Sequence, residues 1–337
     1  MNVLDISAAL IIAAIAAAVL CAGLIVLLFP MLRRYALARP NARSSHVVPT
    51  PQGGGIAVIA ATMLVAAALA VMMDFAVPLT LFGAILVVAL VGFADDVRPI
   101  PVLPRLALQA AVVGAVLLAS PADLRIFPAW PMMIERGLLL IAGLWFVNLV
   151  NFMDGLDLMT VAEAVPITGA MMLLGRLGEF PPSSTIIAAA LCGALLGYAP
   201  FNKPVAKVFL GDVGSLPIGL LLGWALLQLA FQHHLAAALL LPLYYLMDAT
   251  ITLLRRMARR EPFWAAHRTH FYQRATDQGF TVARVVGEVF ALNIVLATLA
   301  LTTVLLDSPP ASVLALLAGA LAVVVVLRRF STRRSAS

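Results

Sequence analysis

Long, nearly unbroken apolar runs recur along this chain, separated by short polar stretches. Within each run the apolar residues do not alternate with polar ones, and they do not fall on one helical face. A helix that is apolar all round belongs in lipid or deep inside a bundle. A membrane-crossing helix needs roughly 20 such residues. The pattern predicts eleven of them, at 6–31, 52–73, 78–94, 104–120, 132–151, 158–175, 184–200, 213–232, 235–254, 285–306 and 311–327. Some runs are short or nearly touch, so the count is ten or eleven. The first run is not expected to be a cleaved signal, because no basic residue precedes it and Arg33 and Arg34 follow it.

Composition agrees with this reading. Of 337 residues, 63% are hydrophobic and 11% charged, and the mean hydropathy is +1.05. A soluble domain carries about a quarter charged residues. The expected fold is therefore all-α, a polytopic integral membrane bundle. It is read as a single catalytic domain over 1–337, with polar loops at 32–51, 95–103, 201–212 and 255–284. Cys21 and Cys192 sit inside apolar runs and suggest neither a disulfide nor a zinc site. Two Gly-x-x-x-Gly patterns, 193–197 and 219–223, permit close helix approach. Packing within the bundle is the plainer reading of them, and a homodimer face the other.

Charge then sets direction. With the N-terminus outside, 19 of the 22 basic residues fall on the cytosolic side, leaving Arg125, Arg136 and Arg176 outside. The positive-inside rule gives N-out, C-in for a multi-pass membrane protein. The net charge of +6 is thereby assigned to loops facing anionic lipid or substrate, and nucleic acid is not expected.

The acidic residues divide into two groups. Asp5, Asp74, Asp123, Glu135, Glu179 and Asp307 read as loop charges. Asp95, Asp96, Asp154, Asp157, Asp212 and Asp248 instead sit where apolar helices meet the cytosol. Carboxylates gathered on one face repel each other unless a cation joins them. Mg²⁺, which favours one or two carboxylates plus substrate phosphate, suits them, and Mn²⁺ is the alternative. Asn148, Asn151, Asp154 and Asp157 recur at steps of three. The series drifts around a helix, so its ends cannot share a face.

Groups for an anion lie nearby. The loop NARSSHVVPTPQGGG offers Arg43 and His46 as donors, then Gly53, Gly54 and Gly55 before a helix. Glycine-rich backbone there is an anion site in principle, and a flexible entry turn otherwise. The segment 255–274 carries six arginines, and His267, Arg268 and His270 form His-Arg-x-His. Two histidines alone make a poor zinc site. Arginine and protonated histidine suit a diphosphate. Together these features fit phosphoryl transfer between a soluble nucleotide compound and a membrane lipid. The alternative is a secondary transporter, but transporters place their sites near the midplane and often show internal repeats, and none is evident here.

The segments PTPQGGG (49–55), GFADD (92–96), NLVNFMDGLD (148–157), FNKPVAKVFLGDVGS (201–215) and AHRTHFYQR (266–274) together resemble the polyprenyl-phosphate N-acetylhexosamine-1-phosphate transferase superfamily. The forms around 41–55 and 266–274 look most like the branch that starts O-antigen or related glycans. The resemblance implies transfer of N-acetylhexosamine-1-phosphate from a UDP-sugar to undecaprenyl phosphate, with release of UMP. It implies that Asp95 is the base or activator for the lipid phosphate, that Asp96 organises the metal site and that Asp212 is the leading Mg²⁺ ligand. Asn151, Asp154 and Asp157 would line the pocket. Asn202 and Phe209 would hold the uracil, and His267, Arg268 and His270 would lie near the sugar-diphosphate. Where the family continues Asp-Gly-x-Asp with glycine, this chain has Leu158.

Overall fold

The computed structural model describes residues 3–38, 49–262 and 267–332. Arg43 and His46 lie outside the described residues. The chain folds as α1 (Val3–Tyr35), β1 (Leu37–Ala38), β2 (Thr50–Pro51), α2 (Gly54–Met72), α3 (Leu79–Val97), α4 (Val102–Ala119), α5 (Met132–Met153), α6 (Met159–Arg176), α7 (Pro182–Asn202), α8 (Asp212–Phe231), α9 (Leu235–Leu240), α10 (Leu243–Ala258), α11 (Phe271–Asp277), α12 (Val282–Leu306) and α13 (Pro309–Ser331). Among the described residues, nine helices are long and apolar enough to cross a membrane. The protein is a polytopic helical membrane protein, as the apolar runs require.

All eleven runs form helix, with two qualifications. The run 235–254 is not one helix but α9 and α10, broken around Pro242, which has no N–H to continue the ladder. α6 is less apolar than the nine, since it carries Glu163 and Arg176, and its neighbours bury most of it. β1 and β2 pair antiparallel as a two-residue ladder that the apolar pattern did not announce.

α7 and α8 form the buried centre. α7 packs on α1, α2 and α6, while α8 packs on α3 and α5. The glycine patterns lie at these contacts. Gly193 and Gly197 leave room for the backbone of α1 at Ala14 and Ala18, and Gly219 and Gly223 for α5 at Val147 and Phe146. They therefore serve packing within the chain. Glu135 is not an ordinary loop charge. It is 3% exposed, pairs with the guanidinium of Arg125 and accepts from the Ile126 N–H at 2.7 Å. That contact braces the loop between α4 and α5.

Candidate functional site

The C-terminal end of α3 meets the N-terminal end of α8. The first N–H groups of a helix have no partner within it and attract an acceptor. Here the Asp96 carboxylate supplies that acceptor. It receives the Asp212 N–H at 2.9 Å, the Val213 N–H at 3.1 Å and the Gln52 side-chain amide at 2.5 Å. The two helix ends can approach because Gly92 has no Cβ to meet the Asp212 carbonyl. Gly211, at φ +77°, turns the chain into α8 beside the Asp96 carboxylate. Negative charge at this helix end is also favoured by the α8 dipole.

Asp95 faces the other way. It accepts from the Ile100 N–H at 2.6 Å and pairs with Arg105 Nη1 at 2.7 Å. Arg105 also lies 3.8 Å from Asp212 Oδ2, and the Asp95 and Asp212 carboxyls themselves come within hydrogen-bonding reach. The other Asp212 oxygen accepts from Asn151 Nδ2 at 2.8 Å. Asn151 also donates to Ser215 Oγ at 2.9 Å. Two carboxylates thus share one guanidinium at a partly exposed spot, with Asp95 11% and Asp212 26% accessible.

This donor set fits a hard divalent cation. Asp212 and Asp95 present oxygens toward one point, and Mg²⁺ needs no more than one or two carboxylates when phosphate completes its shell. Among the described residues, no three His, Cys, Asp or Glu side chains converge as a ready-made metal cage. Asp96 spends both oxygens on N–H donors, so it shapes the site by holding the start of α8.

Beside this cluster runs the turn 154–158. Asp154 accepts from Thr160 Oγ1 at 2.5 Å. Burial pushes its carboxyl up to about 7, the Thr160 hydroxyl opposes the rise, and the charges of Asp96 and Asp157 add to it. Asp157 accepts from the Ala206 N–H at 3.0 Å. Leu158 sits at φ +63°, the left-handed region glycine would occupy without penalty. Its N–H donates to Asn202 Oδ1 at 2.6 Å, while Asn202 Nδ2 donates to the Val208 carbonyl at 2.9 Å. Both ends of the Asn202 amide therefore join the 154–158 turn to the loop after α7. Asn148, the first of the three-step series, points elsewhere and donates to Gln109 of α4 at 2.7 Å.

The glycine run at α2 holds no free anion site. The N–H groups of Gly53 and Gly54 go to the Phe209 carbonyl, and that of Gly55 to the Leu210 carbonyl. These bonds clamp the 209–212 loop and leave the Phe209 ring half-buried.

The His-Arg-x-His stretch precedes α11. His270 is buried, with Nδ1 3.2 Å from Asp248. His267 is half-buried, and Thr269 Oγ1 lies 3.0 Å from its Nδ1. Arg268 pairs with Asp277 at 3.1 Å. Burial, followed by the nearby His270 and Arg256, lowers His267 to about 4. At neutral pH it is an uncharged donor or acceptor rather than the imidazolium the sequence reading favoured. Tyr272 donates its hydroxyl to the Phe152 carbonyl at 3.0 Å. A Cβ on Gly155 would strike that hydroxyl, so glycine there lets α11 lie against the 154–158 turn.

The structure thus brings Asp95, Asp96, Asn151 and Asp212 together at one helix junction, with Asp154, Asp157 and Asn202 on the turn and loop beside it. Phe209 is held next to Gln52, and the segment bearing His267, Arg268 and His270 is joined to that turn through Tyr272. Sequence reasoning missed Gln52, Arg105, Ser215 and Thr160. Gln52 lies within PTPQGGG, and Arg105 is one of the 19 basic residues assigned to the cytosolic side. Buried Glu163 was missed as well. It accepts from Asn293 Nδ2 at 2.6 Å. An apolar cavity of about 240 Å³, lined by Val116, Ile126, Phe146, Gly223, Trp224 and Leu235 among others, lies toward the opposite end of the bundle.

Comparison with known proteins gives this junction a family. Residues 78–230, which contain Asp95, Asp96, Asn151, Asp154, Asp157 and Asp212, match the glycosyl transferase family 4 model. The chain is 27% identical to a decaprenyl-phosphate N-acetylglucosaminephosphotransferase of Mycolicibacterium smegmatis, over 87% of this chain and 81% of that protein. It is 30% identical to a phospho-N-acetylmuramoyl-pentapeptide-transferase of Gluconacetobacter diazotrophicus, over 75% and 79% of the two chains. It is 24% identical to a probable undecaprenyl-phosphate N-acetylglucosaminyl 1-phosphate transferase of Bacillus subtilis, over 80% of each. With such relatives spanning most of its length and the motif residues converging on one end of the bundle, the chain belongs to the polyprenyl-phosphate N-acetylhexosamine-1-phosphate transferase superfamily.

Proposed function

We propose that the protein transfers N-acetylhexosamine-1-phosphate from a UDP-sugar to undecaprenyl phosphate, releasing UMP and forming the lipid-diphospho-sugar that starts a cell-surface glycan of O-antigen type. The carrying observation is the convergence of Asp95, Asp96 and Asp212, from two separate helices, beside Arg105. The site end also holds most of the basic residues, which supports N-out, C-in in the bacterial inner membrane with the site facing the cytoplasm.

A divalent cation, Mg²⁺ by preference and Mn²⁺ otherwise, would be held by Asp212 with Asp96 ordering the site, and would neutralise diphosphate charge. The chain's own groups do the rest. Arg105 offers a guanidinium to a phosphate oxygen. Asp95 lies against that same guanidinium, where it can orient the incoming lipid phosphate. An oxygen of that phosphate bonds to the sugar-linked phosphorus, and the bond to UMP breaks with its electron pair leaving on UMP. The phosphate is largely ionised near neutral pH, so orientation and charge neutralisation carry more of the catalysis than proton removal. Phe209 would stack on uracil, and His267 and Arg268 would meet the sugar-diphosphate.

Relatives named for N-acetylglucosamine and for the phospho-N-acetylmuramoyl pentapeptide are similarly identical to this chain, at 27% and 30%. The sugar is therefore decided by assay. Purified protein with undecaprenyl phosphate, Mg²⁺ and a panel of UDP-N-acetylhexosamines is expected to release UMP, and EDTA to stop it. No UMP with any sugar, and no effect of EDTA, would overturn the reading.

A further inference from the structure

We propose that Asp248, which has no place among the reacting groups, is the positioning residue that fastens the His-Arg-x-His stretch and the 154–158 turn into one substrate wall. The inference rests on the proposed UDP-sugar reaction for its kinetic part only.

Asp248 lies on α10 and is 0% exposed. Its Oδ1 accepts from the Phe271 N–H at 3.0 Å and lies 3.2 Å from His270 Nδ1. Its Oδ2 accepts from the Tyr272 N–H at 3.2 Å and from the Tyr244 hydroxyl at 3.3 Å. The Thr252 hydroxyl reaches Oδ1 at 3.4 Å. The two backbone donors are the opening N–H groups of α11. Asp248 therefore caps that short helix from a different helix, more than 20 residues away in the chain.

Neighbouring cations are engaged elsewhere. Arg255 lies over the Phe271 ring at 4.6 Å, and Arg256 pairs with Glu261 at 2.9 Å. A buried carboxylate is costly unless hydrogen-bonded on every side. This one is, and the donors it gathers belong to the segment bearing His267 and Arg268. The fastening reaches further through Tyr272, the residue capped by Oδ2. Its hydroxyl holds the Phe152 carbonyl, and its ring lies where only a glycine at 155 leaves room. Thus α10 sets α11, and α11 sets the turn carrying Asp154 and Asp157. Asp248 reaches the segment of His267 and Arg268 through His270 and the backbone of Phe271 and Tyr272.

The test uses the full-length protein in detergent or nanodiscs, with Asp248→Asn, which keeps the shape but turns an amide toward N–H donors. His270→Ala and His270→Asn form a second pair, since asparagine restores a donor near the position of Nδ1. Amide hydrogen exchange at Phe271 and Tyr272 is expected to speed by about tenfold in Asp248→Asn, the scale of a lost helix cap. KM for the UDP-sugar should rise by about tenfold while KM for undecaprenyl phosphate stays within about twofold, because the wall faces one substrate. His270→Asn should recover most of what His270→Ala loses. Unchanged exchange at both amides overturns the proposal, as does a parallel rise of both KM values. If the wild type releases no UMP, the reaction is overturned, and the exchange comparison still decides the fastening.

Discussion

Leu158 holds φ at +63°, and its N–H is tied to Asn202. A side chain in that region costs about 1–2 kcal/mol, met here by the hydrogen bond and by packing of the leucine on the core. Residue identity alone would not place a left-handed turn there. Asp96 makes a similar point, since its type marks it as a ligand while its neighbours make it a helix cap. His267 gives the residue scale its prediction. Its imidazole titrates near 6.5 when unperturbed and about 4 in the fold. Between those values the unfolded chain binds a proton that the folded one rejects, so stability falls as pH drops through the window and is complete above it. His267→Gln is expected to flatten the loss of stability between pH 6.5 and pH 4, read by chemical denaturation across that range. An unchanged slope would mean His267 titrates normally.

At the scale of elements, the apolar runs specify helices, while small residues decide which helices touch. α7 lies against α1 because Gly193 and Gly197 face Ala14 and Ala18. Gly193→Val would drive side-chain carbon into the α1 backbone. It is expected to lower stability by about 1–3 kcal/mol, the range for overpacking, seen as a reduced melting temperature in detergent. A melting curve equal to wild type would show that α1 can shift freely. The α9–α10 break has its own logic. Pro242 has no N–H to carry the α9 ladder onward, so α10 starts afresh after it.

At the scale of the whole molecule, the site sits at one end of the bundle because the end of α3, the end of α5 and the start of α8 lie side by side there. The proposed orientation puts that end in the cytoplasm. A cysteine at Asp123, in a background with Cys21 and Cys192 replaced, is expected to react with an impermeant maleimide on intact spheroplasts. A cysteine at Arg259 is expected to react only after permeabilisation, and the opposite pattern would invert the topology. Hydropathy by itself determined the helical class and the rough bounds of eleven runs, because an apolar stretch in lipid must satisfy its backbone internally. Motif residues likewise named most of the candidate site. Only the tertiary structure decided that Asp96 caps α8, that Arg105 lies between Asp95 and Asp212, that Asn202 is spent on joining loops, and that Asp248 anchors α11. Those roles depend on which orphaned backbone and side-chain groups end up adjacent across distant helices, and local sequence does not encode such pairings.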